Sequence, residues 1–202
     1  SSSEVLLEHI NEALDITRIE GGELQFSIQS FSLTTLATSL IAVLEPLAVE
    51  KKLDLTLQID KNVRFDFMGD VNRIRQILTN LVGNSIKFTD KGVVELAIEY
   101  HPETRDLKFR VIDTGIGIPI DSRAQLFQRF FQADSSSTRT YGGSGLGLHI
   151  SQALAQLMNG HIEYFPQSRG SIFQLSLRLK EDPLEWVESE RSFYSDHLCK
   201  IQ

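Results

Sequence analysis

The stretch that decides the fold is Asn80-Leu-Val-Gly-Asn84-Ser-Ile-Lys87-Phe88-Thr89, preceded by Gly69-Asp-Val-Asn-Arg-Ile-Arg-Gln-Ile-Leu78. Ile74, Ile77, Leu78, Leu81, Val82 and Ile86 recur at helical spacing, so residues 70–87 read as an amphipathic helix with a buried face. Asn80, Asn84 and Lys87 lie four and three residues apart and share a face of that helix. Two amides and an ammonium on one face suit an anionic ligand that carries a metal ion. An amide oxygen is a hard donor, as magnesium requires. The same spacing also suits a solvated helix face.

Working outward, two further clusters carry chemistry. Asp113-Thr-Gly115-Ile-Gly117-Ile-Pro119 follows the strand-like Leu107-Lys-Phe-Arg-Val-Ile112. A carboxylate at a strand end beside two glycines sets an acceptor against a tight backbone turn, where an adenine amino group is a natural donor. A plain Asp-Gly loop is the simpler reading. Gly142-Gly143-Ser144-Gly145-Leu146-Gly147-Leu148 opens a helix. Glycines there let backbone N–H groups approach phosphate oxygens, and the helix dipole favours the negative charge. No Walker A loop, no GxGxxG fingerprint and no HRD or DFG signature is present, so the nucleotide site is of another kind.

Periodicity predicts helices over 4–20, 33–51, 121–132 and 146–158, with Pro46 a point where the second would kink. Strands are predicted at 53–59, 93–100, 107–112, 161–165 and 172–179, with a loose edge strand over 23–31. The Ser-, Thr- and Gly-rich stretch from Asp134 to Gly145 reads as a mobile loop, and 181–202 as a charged linker or tail. The pattern gives an α+β class: a mixed sheet covered by helices, preceded by one amphipathic helix. The organisation expected is one amphipathic helix over 1–22, a main domain over 23–180 and a linker or tail over 181–202.

Composition narrows the class. The 202 residues are 41% hydrophobic and 23% charged, with a net charge of −7. That balance suits a globular domain and disfavours a backbone-tracking nucleic-acid binder. Cys199 is the one cysteine, so no intrachain disulfide forms, and no CxxC or HExxH pattern marks a zinc site. No apolar run approaches the roughly 20 residues of a membrane span, and no signal peptide is apparent.

Taken together and in order, these clusters resemble the N, G1 and G2 boxes of sensor histidine kinases, with Leu126-Phe-Gln-Arg-Phe-Phe-Gln-Ala-Asp134 similar to the F box between the last two. The resemblance covers about residues 30–180. It implies a two-layer α/β sandwich of the kind shared with gyrase and heat-shock chaperones, with ATP and Mg²⁺ held between helices and a lid. It implies that Asn84 ligates magnesium, that Asn80 orients the phosphates and that Lys87 donates to them; Asn80 and Lys87 are the residues expected to serve catalysis. Phe88 would flank the base and Asp113 would accept from the adenine amino group, with Gly115 and Gly117 letting it lie close. Gly143, Gly145, Leu146, Gly147 and Leu148 would wrap the phosphates, and Arg129 would reach the γ-phosphate. Phe127, Phe130 and Phe131 would pack the base of the lid.

Leu6 to Leu24 resembles the second helix of the family's dimerisation hairpin. No histidine here is followed by Glu in the manner of the family's phosphoacceptor. The chain is therefore expected to begin downstream of that residue, to bind ATP and not to phosphorylate itself. His149 stands where the family usually has a small residue and is read as pointing outward. Ile172 stands where the family often has Thr, with Ser171 as a partial substitute. Partners implied are a response regulator or receiver domain and a second copy through the hairpin, giving a homodimer. The implied location is cytoplasmic, the full-length protein lying at the cytoplasmic face of the inner membrane. Two rivals remain: a hydrolysing ATPase of the wider superfamily, which would place Glu at Asn80, and a degenerate kinase acting as a non-catalytic regulator.

Overall fold

A computed structural model describes residues 2–63, 66–132 and 144–182, with side chains from residue 10 onward apart from those gaps. Helix α1 (Ser2–Glu20) comes first and stops at Gly21-Gly22, where Gly22 takes a φ of 66° that suits glycine. Strand β1 (Gln29–Phe31) is shorter than the 23–31 alternation predicted. Helix α2 (Leu33–Glu50) is capped by the Ser32 hydroxyl and runs on through Pro46. Strands β2 (Leu53–Ile59) and β3 (Asp66–Gly69) lead to helix α3 (Val71–Phe88). Then follow β4 (Gly92–His101), β5 (Asp106–Asp113), a 3₁₀ turn over Ile120–Gln125, helix α4 (Gly147–Leu157), β6 (His161–Pro166), β7 (Ser171–Arg178) and β8 (Lys180–Asp182).

Three expectations are corrected. The helix predicted over 121–132 is only the 3₁₀ turn, because its continuation meets Phe130 at a φ of 58°, outside the helical region. Strand β3 was not anticipated. The segment read as an aperiodic tail begins with β8, which pairs antiparallel with β3. The loop expected from Asp134 lies outside the described residues as far as Gly143.

The main sheet has the order β2-β4-β5-β7-β6. Its β2–β4 pair is parallel and the rest antiparallel, so the sheet is mixed as expected. Leu107, Phe109, Val111 and Asp113 on β5 are buried at every second position and face the helices, while the intervening side chains face the half-exposed side. Helices α2, α3 and α4 cover that one face and complete the core with Leu36, Leu40, Ile77, Leu81, Ile150 and Leu154. Helix α2 has a mean hydropathy of 1.4 over 18 residues, long and apolar enough by composition to cross a membrane. Thr34, Thr35, Ser39 and Glu45 interrupt it, so it holds no unbroken apolar run of that length. Its buried face belongs to this core. A second sheet, β1-β3-β8, sits where the chain enters and leaves the domain.

Candidate nucleotide site

Helix α3 is fixed at both ends before it presents any ligand group. Asp70 caps its start: Oδ1 accepts from the N–H groups of Asn72 and Arg73 at 3.1 Å each, and Oδ2 accepts from Ser27 N at 2.9 Å. At its far end Lys51 Nζ donates to the carbonyls of Ile86 at 2.9 Å and Lys87 at 2.6 Å. A cation on the last carbonyls suits the negative end of the dipole. The sequence reading did not find Lys51. It lies 35 and 36 residues from these two carbonyls and belongs to no motif.

The amides of α3 form a directed chain. Asn84 Nδ2 donates to Asn80 Oδ1 at 3.1 Å, and Asn80 Nδ2 donates to Ser151 Oγ at 2.9 Å. Ser151 is buried on α4, so the relay joins α3 to the helix that follows the glycine loop. With the amides in these orientations, Asn84 Oδ1 is left as an oxygen to which no described residue donates. Ser151 was also missed, since a lone serine in a helix carries no signal of its own. Gly147 abuts this relay: a Cβ there would lie 2.5 Å from Asn80 Oδ1. Lys87 is half-buried, with Nζ 5.1 Å from the ring centroid of Phe88, which is itself 38% exposed.

Asp113 ends β5 and is only 5% exposed. Its Oδ1 accepts from Gly115 N at 2.9 Å and its Oδ2 from Ser85 Oγ on α3 at 3.3 Å. Burial raises its pKa above the ordinary 3.8, against the opposing pull of Gly115, Ser85 and the Ser171 backbone. An ionised carboxylate has about four acceptor positions, so these three donors leave room for a further one. Strand register sets Ser171 opposite Asp113 and Ile172 opposite Ile112. Ser171 is therefore on the site's face and Ile172 on the other. The turn needs its glycines. Gly117 has a φ of 69°, and a Cβ on Gly115 would meet the Phe88 carbonyl at 2.4 Å. Thr89 Oγ1, buried and without a partner among the described residues, lies beside the same point. An open cavity of about 330 Å³ adjoins this turn, lined by Gly115 to Pro119 with Arg123, Tyr164 and Arg169. It contains none of Asn80, Asn84 or Lys87.

Of the glycine loop, Gly143 lies outside the described residues. Gly145 has a φ of 71°, and a Cβ there would strike the Phe130 backbone at 2.8 Å. Leu146 is buried, its N–H donating to Ser144 Oγ at 3.1 Å, and Leu148 packs partly buried against the core. Phe127 also packs there, but Phe130 is 71% exposed. Arg129 pairs with Glu20 of α1, and its Nε donates to His149 Nε2 at 3.1 Å. His149 thus does not point freely outward, as the sequence suggested: its Nδ1 lies 2.9 Å from the Phe127 carbonyl.

The geometry joins a buried carboxylate with acceptor capacity to spare, an amide relay and a glycine-opened helix on one face of a mixed sheet. The family model described as "Histidine kinase-, DNA gyrase B-, and HSP90-like ATPase" matches residues 69–181, more than half of the chain. The chain belongs to that family. Within this ATPase family its relatives are histidine kinases. It is 39% identical over 186 residues to "Signal transduction histidine-protein kinase BarA" of Escherichia coli K12, covering 90% of this chain and 20% of that protein. It is 44% identical over 164 residues to "Circadian input-output histidine kinase CikA" of Synechococcus elongatus, covering 80% of this chain and 22% of that one. The crystal structure of full-length ShkA in complex with AMPPNP superposes with a TM-score of 0.79 at 27% identity, covering 90% of this chain and 37% of that one. The chain spans about a fifth of the length of the curated relatives it matches. It is an ATP-binding catalytic domain of the histidine kinase type.

Proposed function

We propose that this domain binds ATP as its magnesium complex and presents the γ-phosphoryl group to a histidine outside the chain described. The observation that carries the reading is the pair of connections made by α3: Ser85 to the adenine-type acceptor Asp113, and Asn84 through Asn80 to the helix behind the glycine loop. One helix thereby registers the base against the phosphates.

The donor set fits magnesium. Asn84 Oδ1 is a hard oxygen aligned by its own amide's bond to Asn80, and one protein oxygen plus phosphates and waters is the usual magnesium complement. When bound, the ion would neutralise charge on the phosphates. Lys87 would add a point charge to the same end, and the backbone N–H groups around Gly145 and Gly147 would contribute dipoles. Phosphoryl transfer of this kind rests mainly on positioning, which a rigid helix supplies. Hydrolysis is disfavoured, since an amide at Asn80 cannot take a proton from water at neutral pH.

The phosphoryl group would then pass from that histidine, its nitrogen leaving, to a response regulator or receiver domain. Two relatives are named hybrid signal transduction histidine kinases, which supports a receiver as partner. Ile10 and Leu14, exposed four residues apart on α1, suit the seam of a homodimer.

Isothermal titration with a non-hydrolysable ATP analogue, with and without Mg²⁺, tests the core of this reading. Wild type is expected to bind more tightly with magnesium, and Asn84→Ala to lose most of that difference. Equal binding of both proteins with and without the ion would remove Asn84 from the metal site.

A further inference from the structure

Arg129 belongs to a polar chain that crosses from the lid base to helix α1. His149 Nδ1 lies 2.9 Å from the Phe127 carbonyl, which can only accept, so that nitrogen carries the proton. His149 Nε2 is then an acceptor, and Arg129 Nε donates to it at 3.1 Å. The imidazole thus holds the root of the guanidinium. The outer nitrogen Nη2 pairs with Glu20, the last residue of α1. Arg129 immediately precedes Phe130, whose backbone packs on Gly145, and His149 lies two residues past Gly147. The guanidinium therefore lies beside the glycine-opened start of α4 with its outer nitrogen turned to α1.

Helix α1 is held in place independently of this contact. Asp15 accepts from Arg73 Nη1 at 3.0 Å and from Gln76 Nε2 at 2.7 Å, both on α3, while Ile16 and Ile19 pack on the core. Asp15 and Arg73 are 13% and 19% exposed, against 51% and 42% for Glu20 and Arg129. The inner pair is the fixed one. The outer pair, wet and held by a single carboxylate, is the exchangeable one.

We propose that Glu20 and His149 are positioning residues for Arg129, with His149 as the pivot and Glu20 competing with the terminal phosphate of the nucleotide for the guanidinium. The position of α1 then sets how much of Arg129 is available to a triphosphate, and a diphosphate is indifferent to it. The inference rests on the reading that Arg129 serves the γ-phosphate of bound ATP.

The test compares affinities for a non-hydrolysable ATP analogue and for ADP, with Mg²⁺, in wild type, Glu20→Gln, Arg129→Lys and the double variant. Glu20→Gln keeps the side chain's shape and removes its charge. The triphosphate is expected to bind about threefold tighter in Glu20→Gln, a modest gain because the ion pair is exposed, and ADP is expected to be unchanged. Arg129→Lys, which keeps a charge but loses the donor that seats on His149, is expected to cancel the gain. A Glu20→Gln change that is equal for both nucleotides, or absent for both, overturns the proposal while the ATP-binding reading stands. Absence of nucleotide binding in every protein, each with an intact thermal melt, overturns both.

Discussion

At Asp113 a site role and a structural role predict opposite effects of one substitution. Its carboxylate is buried, and burial holds its pKa above the ordinary 3.8. The folded protein thus binds that proton more tightly than the unfolded chain. For a raised carboxylate the stability penalty is fully present above the folded pKa and is relieved as pH falls through it. An amide of the same shape carries no such penalty and can still satisfy Gly115 N with its oxygen and Ser85 Oγ with its nitrogen. Asp113→Asn is therefore expected to melt at or above the wild-type temperature at neutral pH, with its advantage shrinking in mildly acidic buffer. Titration should show its affinity for the ATP analogue more than about tenfold weaker, since a donor on the base then meets a weaker, misoriented acceptor. A melting temperature several degrees below wild type would instead make Asp113 a structural group.

At the scale of elements, α3 is the beam on which the site is mounted, and Lys51 closes its end. Its two bonds are charge-assisted and half-buried. Lys51→Met keeps the stem and removes the donors. The expected cost is about 1–3 kcal/mol, read as a lower melting temperature by circular dichroism. Nucleotide affinity should fall with it, because Lys87 and Phe88 stand on the turn that frays. An unchanged melt would show that water replaces the lysine at no cost. How α3 is held marks the limit of what was legible. The helix itself, the β5 acceptor and the glycine loop each announce themselves locally, through a period or a short motif. Lys51, Ser151 and the Glu20–Arg129 pair act across dozens of residues, and no local pattern encodes such a meeting. Strands β3 and β8 escaped for a related reason. They are short, and Lys180-Glu-Asp182 is held through its backbone at an edge, with no apolar alternation to betray it. The turn over Ile120–Gln125 was overextended because Phe127, Phe130 and Phe131 mimic a helical stripe, although only Phe127 reaches the core.

On the scale of the whole molecule, the sheet β1-β3-β8 brings the segment arriving from α1 beside the segment leaving the domain. Tyr100 links two strands of this sheet to the core. It is buried at 1% exposure, its ring meets Phe67 of β3 edge-on at 5.1 Å, and its hydroxyl donates to Glu181 of β8. Burial first, and then the bond and charge of Glu181, push its pKa from 10.0 up to about 12. Over that interval the unfolded chain loses the phenolic proton while the folded protein keeps it, so stability falls as pH rises. Tyr100→Phe retains the ring and removes both the proton and the bond to Glu181. The variant is expected to lose much of the decline in melting temperature across that alkaline window. At neutral pH its amides in Lys180–Asp182 should exchange with solvent faster than in wild type, as β8 loses its bond to the Tyr100 hydroxyl. If the alkaline decline persists and those amides stay as protected as before, β8 is held in place without Tyr100.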